Sequence, residues 1–107
     1  VEHVLAIAVD ARNRPVAWYR VSQGGTSSAG VEVSSVFRPA IVAGASGLVL
    51  VHNHPSGETT PSPEDTALTR RVVDGGELLG IRVLDHVIVG DDYFSFLDAG
   101  MLPRGSA

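Results

Sequence analysis

The chain has 107 residues, 44% of them apolar, which sets the scale of one α/β-sized domain with a modest core and argues against a disordered segment. It contains no cysteine, so disulfides and thiolate metal sites are excluded, and the composition suits a reducing compartment such as the cytoplasm. Formal net charge is −4, and the only local basic groupings, Arg70-Arg71 and Arg12 with Arg14, read as solvated surface, so strong nucleic-acid binding by this domain alone is disfavoured.

The apolar runs LAIAV, AIVAGA and GLVLV fall far short of the roughly 20 residues that a membrane span needs. No basic segment followed by an apolar stretch marks a signal peptide. His3 to Val9 (HVLAIAV) reads as a buried strand, and the turn-prone DARNRP links it to a second, β-branched and aromatic strand, Val16 to Val21 (VAWYRV). The short link predicts an antiparallel hairpin. Ser22 to Gly30 is a Gly/Ser loop by composition. Ser34 or Ser35 caps a helix through about Ala45, with Val36, Phe37, Ala40, Ile41 and Ala45 on one face. Pro39 fits best in a first turn, which argues for a later start. Gly47 closes the helix, and Leu48 to His52 (LVLVH) is a short apolar strand. After a loop from Asn53 to Pro61, Ser62-Pro63-Glu64-Asp65 is a helix start with Ser as N-cap, Pro at N1 and acids behind it. That helix runs through Leu79 with Leu68, Val72 and Leu79 inward, weakened by Gly75-Gly76 and closed by Gly80. Ile81 to Val89 is a strand, Gly90-Asp91-Asp92 a turn, and Tyr93 to Phe96 a last strand, before a tail from Leu97 to Ala107. The order ββαβαββ predicts a single α/β domain over 1–107 with a central mixed sheet.

Two of the four histidines stand one residue apart at the end of an apolar strand, in VHNHPSGETTPSPED (Val51 to Asp65). Strand side chains at i and i+2 point the same way, so His52 and His54 can converge. Asp65 sits at N3 of the following helix, and the intervening loop can fold that helix end back onto them. Two imidazoles and one carboxylate form a three-ligand site with an open position, the pattern of a catalytic zinc. A loop carrying two polar surface histidines would show the same letters. His86, in the otherwise apolar LDHVIV, reads as a hydrogen-bonded core histidine that Asp85 orients, and His3 should face away from Glu2. The run His52-Asn53-His54 is not an HNH nuclease motif, because those residues are dispersed over a ββα unit whose further helical histidine has no counterpart here.

His52-x-His54 followed by Ser62-x-x-Asp65 resembles the JAMM signature of MPN-type metalloproteases, and HNHPSG (His52 to Gly57) is most similar to the RadC-like branch of that family. SVFRPAIVAGASGLVLVHNHPSG, PSPEDTALTRR, GELLGIRVLDHVIVG and YFSF extend the resemblance over about residues 2 to 98. It implies a cytidine-deaminase-like (JAB/MPN) fold, a mixed sheet sandwiched by helices. It also implies one zinc ion on His52, His54 and Asp65, Ser62 beside the reacting oxygen, and Glu2, just ahead of the first strand, as general base. Where relatives show a PREVF-type stretch this chain has VSSVF, so Ser35 replaces an acid, and Glu32 is the other acid nearby.

The activity implied is hydrolysis of a peptide or isopeptide amide by a metal-activated water, on an unidentified peptide or protein substrate. The substrate would lie along an exposed strand edge, with the Gly/Ser loop as a flap. The competing expectation is a binding or regulatory module in DNA repair or processing; longer RadC-like proteins often carry an upstream helix-hairpin-helix segment that these residues lack. No membrane partner is expected.

Overall fold

The structure is a computed structural model that describes residues 2–21, 23–24 and 27–104. Strands β1 (Val4–Val9) and β2 (Pro15–Arg20) form the expected antiparallel hairpin. Its turn is closed by Asp10, whose carboxylate accepts from the Arg12 and Arg14 N–H groups and pairs with the Arg14 guanidinium at 2.9 Å. Helix α1 (Val33–Val42), β3 (Gly47–Asn53), α2 (Pro63–Leu79), β4 (Arg82–Val89) and β5 (Tyr93–Ser95) follow. The sheet order is β2-β1-β3-β4-β5, with β3 and β4 parallel and the remaining pairs antiparallel. This is the predicted mixed α/β sheet, compatible with a JAB/MPN fold.

Both helical crossovers, β2–α1–β3 and β3–α2–β4, step in the same direction along the sheet. Right-handed connections therefore place both helices on one face. The core confirms it: Val36, Phe37 and Ala40 of α1 and Leu68 and Val72 of α2 join Val4, Ala6, Ala8, Leu48 and Leu50 in one buried cluster. Strand alternation sends Leu5, Ile7, Val49, Val51 and Val87 to the other face, where they are half-buried and Trp18 is exposed. The helices thus flank the sheet on one side; among the described residues none covers the other face, unlike the sandwich expected. No helix among the described residues is long and apolar enough to cross a membrane.

Several local expectations are corrected. Helix α1 begins earlier than predicted, with Glu32 at the N-cap position, and Pro39 lies in its second half rather than its first turn. Burial of Val36, Phe37 and Ala40 outweighs the cost of that proline. Ile41 and Leu79 are about half exposed, not inward. Gly44, at φ 68°, terminates α1; Gly47 instead opens β3, where a side chain would stand 2.9 Å from the Arg82 carbonyl oxygen. Of the Gly/Ser segment, residues 22, 25 and 26 lie outside the described residues, and Ser28–Gly30 forms a 3-10 turn.

Helix α2 matches its prediction closely. Ser62 is the N-cap, Pro63 opens the helix and Gly80 closes it in the left-handed conformation at φ 72°. Gly75 and Gly76 prove to be packing residues. A β-carbon on Gly75 would stand 3.0 Å from the Phe37 ring of α1, and one on Gly76 only 2.3 Å from the Ile81 carbonyl oxygen. Glycine lets α2 approach both α1 and the start of β4, which helix propensity alone cannot indicate.

Candidate metal centre

The antiparallel register of β1 and β3 sets Val4 opposite His52. Glu2, just ahead of β1, therefore arrives at the carboxyl end of β3, the end of an α/β sheet where ligands commonly bind. The loop after β3 starts with the His54 N–H on the Val89 carbonyl at 2.9 Å and turns through Gly57, at φ 86°, bringing the N-terminus of α2 back over the same end. One donor atom each from Glu2, His52, His54 and Asp65 then lies within 4.8 Å of all the others.

Asp65 has two jobs at once. Its N–H bonds the Ser62 hydroxyl at 3.1 Å and its Oδ2 accepts the Ser62 N–H at 2.9 Å, a reciprocal capping box. The same Oδ2 is 2.9 Å from His54 Nε2. Oδ1 accepts from the Ser28 hydroxyl at 2.7 Å and lies 3.2 Å from His52 Nδ1, without hydrogen-bond geometry. Burial raises the Asp65 pKa, but the Ser28 hydroxyl, the Ser62 N–H and the nearby His52 outweigh burial and hold the carboxyl below its ordinary value.

Three of the four ring nitrogens of His52 and His54 face carboxylate oxygens. His54 Nδ1 is 2.8 Å from the Glu58 carbonyl oxygen, which can only accept, so a neutral His54 carries its proton there. Its Nε2 lone pair is then aimed at Asp65 Oδ2. Buried His52 has Nε2 2.5 Å from Glu2 Oε1 and Nδ1 beside Asp65 Oδ1. A neutral imidazole has one proton, so one of those nitrogens also turns a lone pair toward a carboxylate. Lone pairs converging from nitrogen and oxygen are what a cation relieves. The carbonyl behind His54 is the usual outer partner that orients a ligating imidazole. The residues present therefore fit a divalent ion, with the nitrogen and oxygen donors that zinc accepts.

All five residues singled out from the sequence gather here. Ser62 acts as helix cap, and it lines a cleft of about 340 Å³ with Glu2, Ser27, Ser28, His54 and Glu64. A larger cavity, about 700 Å³, lies around the opposite end of α2 near Gly80 and Leu102 and contains none of these groups. Glu32 is outside the cluster; its carbonyl accepts the Ser35 hydroxyl at 2.8 Å. His3 also lies outside it, its N–H donating to Asn53 Oδ1 at 2.5 Å. The central position of β3 leaves it no open edge, so the sheet's free edges are β2 and β5.

His86 is a core histidine, as expected, but Asp85 does not orient its ring. Asp85 accepts from the His86 and Leu97 N–H groups and the Ser95 hydroxyl. Thr69 orients the ring: its hydroxyl is 2.6 Å from His86 Nδ1 and donates to the Asp65 carbonyl at 2.8 Å, so Nδ1 carries the imidazole proton. Nε2 is buried with no hydrogen-bond partner, and the ring stacks on Phe96 at 4.8 Å and lies 5.9 Å from His52. Burial, together with the neighbouring His52, lowers its pKa to about 4.

Ser28 and Thr69 escaped sequence reasoning. Ser28 reads as one of several loop serines and Thr69 as a mid-helix residue; no spacing rule ties either to the histidines, and only the tertiary fold does.

Residues 1–101 match the RadC-like JAB domain family. The chain belongs to that family. It is 45% identical over 102 residues to a UPF0758 protein of Pelobacter propionicus, covering 94% of this chain and 44% of the relative. It is 44% identical over 102 residues to one of Geobacter sulfurreducens, with the same coverage. A UPF0758 protein of Rubrobacter xylanophilus is 46% identical over 101 residues, covering 94% of this chain and 44% of the relative. The RadC-like JAB domain described here therefore spans less than half the length of these curated relatives, whose names specify no reaction.

Proposed function

We propose that this RadC-like JAB domain is a zinc-dependent hydrolase of the JAMM type, cleaving a peptide or isopeptide amide in a peptide or protein substrate. The observation that carries the reading is the convergence of donors around His54: its Nδ1 faces the Glu58 carbonyl, and its Nε2 faces Asp65 within a cluster that includes His52 and Glu2. His52, His54 and Asp65 would hold the ion. A divalent ion there supplies Lewis acidity, ionising water near neutral pH and polarising an amide carbonyl.

The protein's own groups do the rest. Glu2, part-buried on the cleft wall, is placed to take a proton from water and return it to the leaving nitrogen. The Ser62 hydroxyl accepts from the Asp65 N–H, which leaves its own proton free for the oxygen on which charge develops. The acidic net charge favours a protein substrate over nucleic acid.

The test is elemental analysis of the native protein beside His54→Ala and Asp65→Ala. About one zinc per chain, absent from both variants while the fold persists, supports the site and opens a search for amide substrates. No zinc after dialysis against the ion overturns the hydrolase reading and favours a binding module in DNA processing.

A further inference from the structure

We infer that Ser28 is a positioning residue for the metal centre, acting through Asp65; this rests on the metal-site reading above. An ionised carboxylate has about four lone-pair sites, two on each oxygen. On Asp65 the outer pair is occupied by two donors from different parts of the chain. The Ser62 N–H takes one on Oδ2 at 2.9 Å and the Ser28 hydroxyl one on Oδ1 at 2.7 Å. On the inner side Oδ2 lies 2.9 Å from His54 Nε2, and Oδ1 lies 3.2 Å from His52 Nδ1 without hydrogen-bond geometry. With both oxygens held, the carboxylate plane cannot rotate about its bond to the β-carbon.

The Ser62 contact belongs to the capping box and would exist in any helix starting this way. The Ser28 contact is different. It comes from a separate segment, the 3-10 turn before α1, and its hydroxyl is buried against the site. Asp65 and Ser28 are each only 1% exposed, so water cannot substitute for either partner without rearrangement. Removing the hydroxyl frees Oδ1 to turn toward His52 or to lose its donor altogether. In either case the ligand set is no longer held in advance of binding. Partners of this kind typically change metal affinity by about 10–100-fold.

The experiment uses the whole chain and metal binding itself as the readout. The affinities of wild type, Ser28→Ala and Ser28→Thr for Zn²⁺ and Co²⁺ are measured by competition with a chromophoric chelator, and the thermal midpoints of the metal-free proteins are recorded in parallel. Ser28→Ala is expected to weaken both ions by about 10-fold or more and to alter the visible bands of bound Co²⁺. Ser28→Thr, which keeps the hydroxyl, is expected to restore affinity and bands even if its added methyl lowers the thermal midpoint. Unchanged affinity in Ser28→Ala, or an equal loss in Ser28→Thr at an unchanged midpoint, overturns the positioning role and leaves the metal site standing. Failure of wild type to bind either ion overturns both readings together.

Discussion

The sharpest physical prediction concerns His86 and acid. The ring is fully buried, donates Nδ1–H to Thr69, stacks on Phe96 near His52 and leaves Nε2 buried with no hydrogen-bond partner. Protonation would place both a charge and an unpartnered N–H there. The folded value of about 4 lies below the ordinary 6.5, so as pH falls the unfolded chain takes up this proton first. The stability tied to the neutral ring is whole above pH 6.5 and is lost as pH drops toward 4. Between pH 7 and pH 4.5 the loss comes to about 2 kcal/mol, at about 1.4 kcal/mol per tenfold change in proton activity. The assay is urea unfolding of metal-free wild type and His86→Leu at both pH values. Titrating groups distant from residue 86 are common to the two proteins and cancel in the difference. Asp65 acts in a lower window: its carboxyl is held below 3.8, so its contribution is whole above pH 3.8 and is lost as pH falls below that value. Wild type should lose about 2 kcal/mol more than the variant. Parallel losses, within about 0.5 kcal/mol, would refute the argument that the buried, half-partnered ring resists protonation.

The two helix glycines should separate in the same assay. Gly76→Ala, which drives a methyl to 2.3 Å from the Ile81 carbonyl, is expected to cost about 2 kcal/mol or more. Gly75→Ala meets only the Phe37 and Val33 side chains at 3.0 Å and beyond, and alanine's helix advantage of about 1 kcal/mol should leave it near neutral. Equal effects would contradict the close approach of α2 to β4. Ser62→Ala should destabilise the metal-free protein by about 1 kcal/mol, the usual worth of an N-cap, as read by its thermal midpoint. Glu2→Gln should retain zinc by elemental analysis yet lose amide cleavage by at least about 100-fold once a substrate is found; retained turnover would remove Glu2 from the role of base.

Much of this domain is legible along the chain. Local rules suffice where the physics is local. The Ser62-Pro63-Glu64-Asp65 start, the left-handed stop at Gly80 and the β1–β2 hairpin all appear as read. The histidine and aspartate spacing identifies the cluster because one short loop joins β3 to α2. What the chain could not disclose depends on distant partners. Leu79 and Ile41 carry the right letters for a buried face, yet among the described residues no element covers them and each is about half exposed. Pro39 is tolerated inside α1 because Phe37 and Ala40 are anchored in the shared core. Thr69, rather than adjacent Asp85, orients His86, since strand geometry turns Asp85 and His86 to opposite faces. The outer hydrogen bond on Asp65 comes from Ser28, 37 residues earlier, in a segment whose composition says only loop. Capping, turn and ligand spacing are short-range properties of sequence. Which face is covered, which donor reaches a carboxylate and which glycine lets a helix close on a strand are decided only when the crossovers bring remote segments into contact.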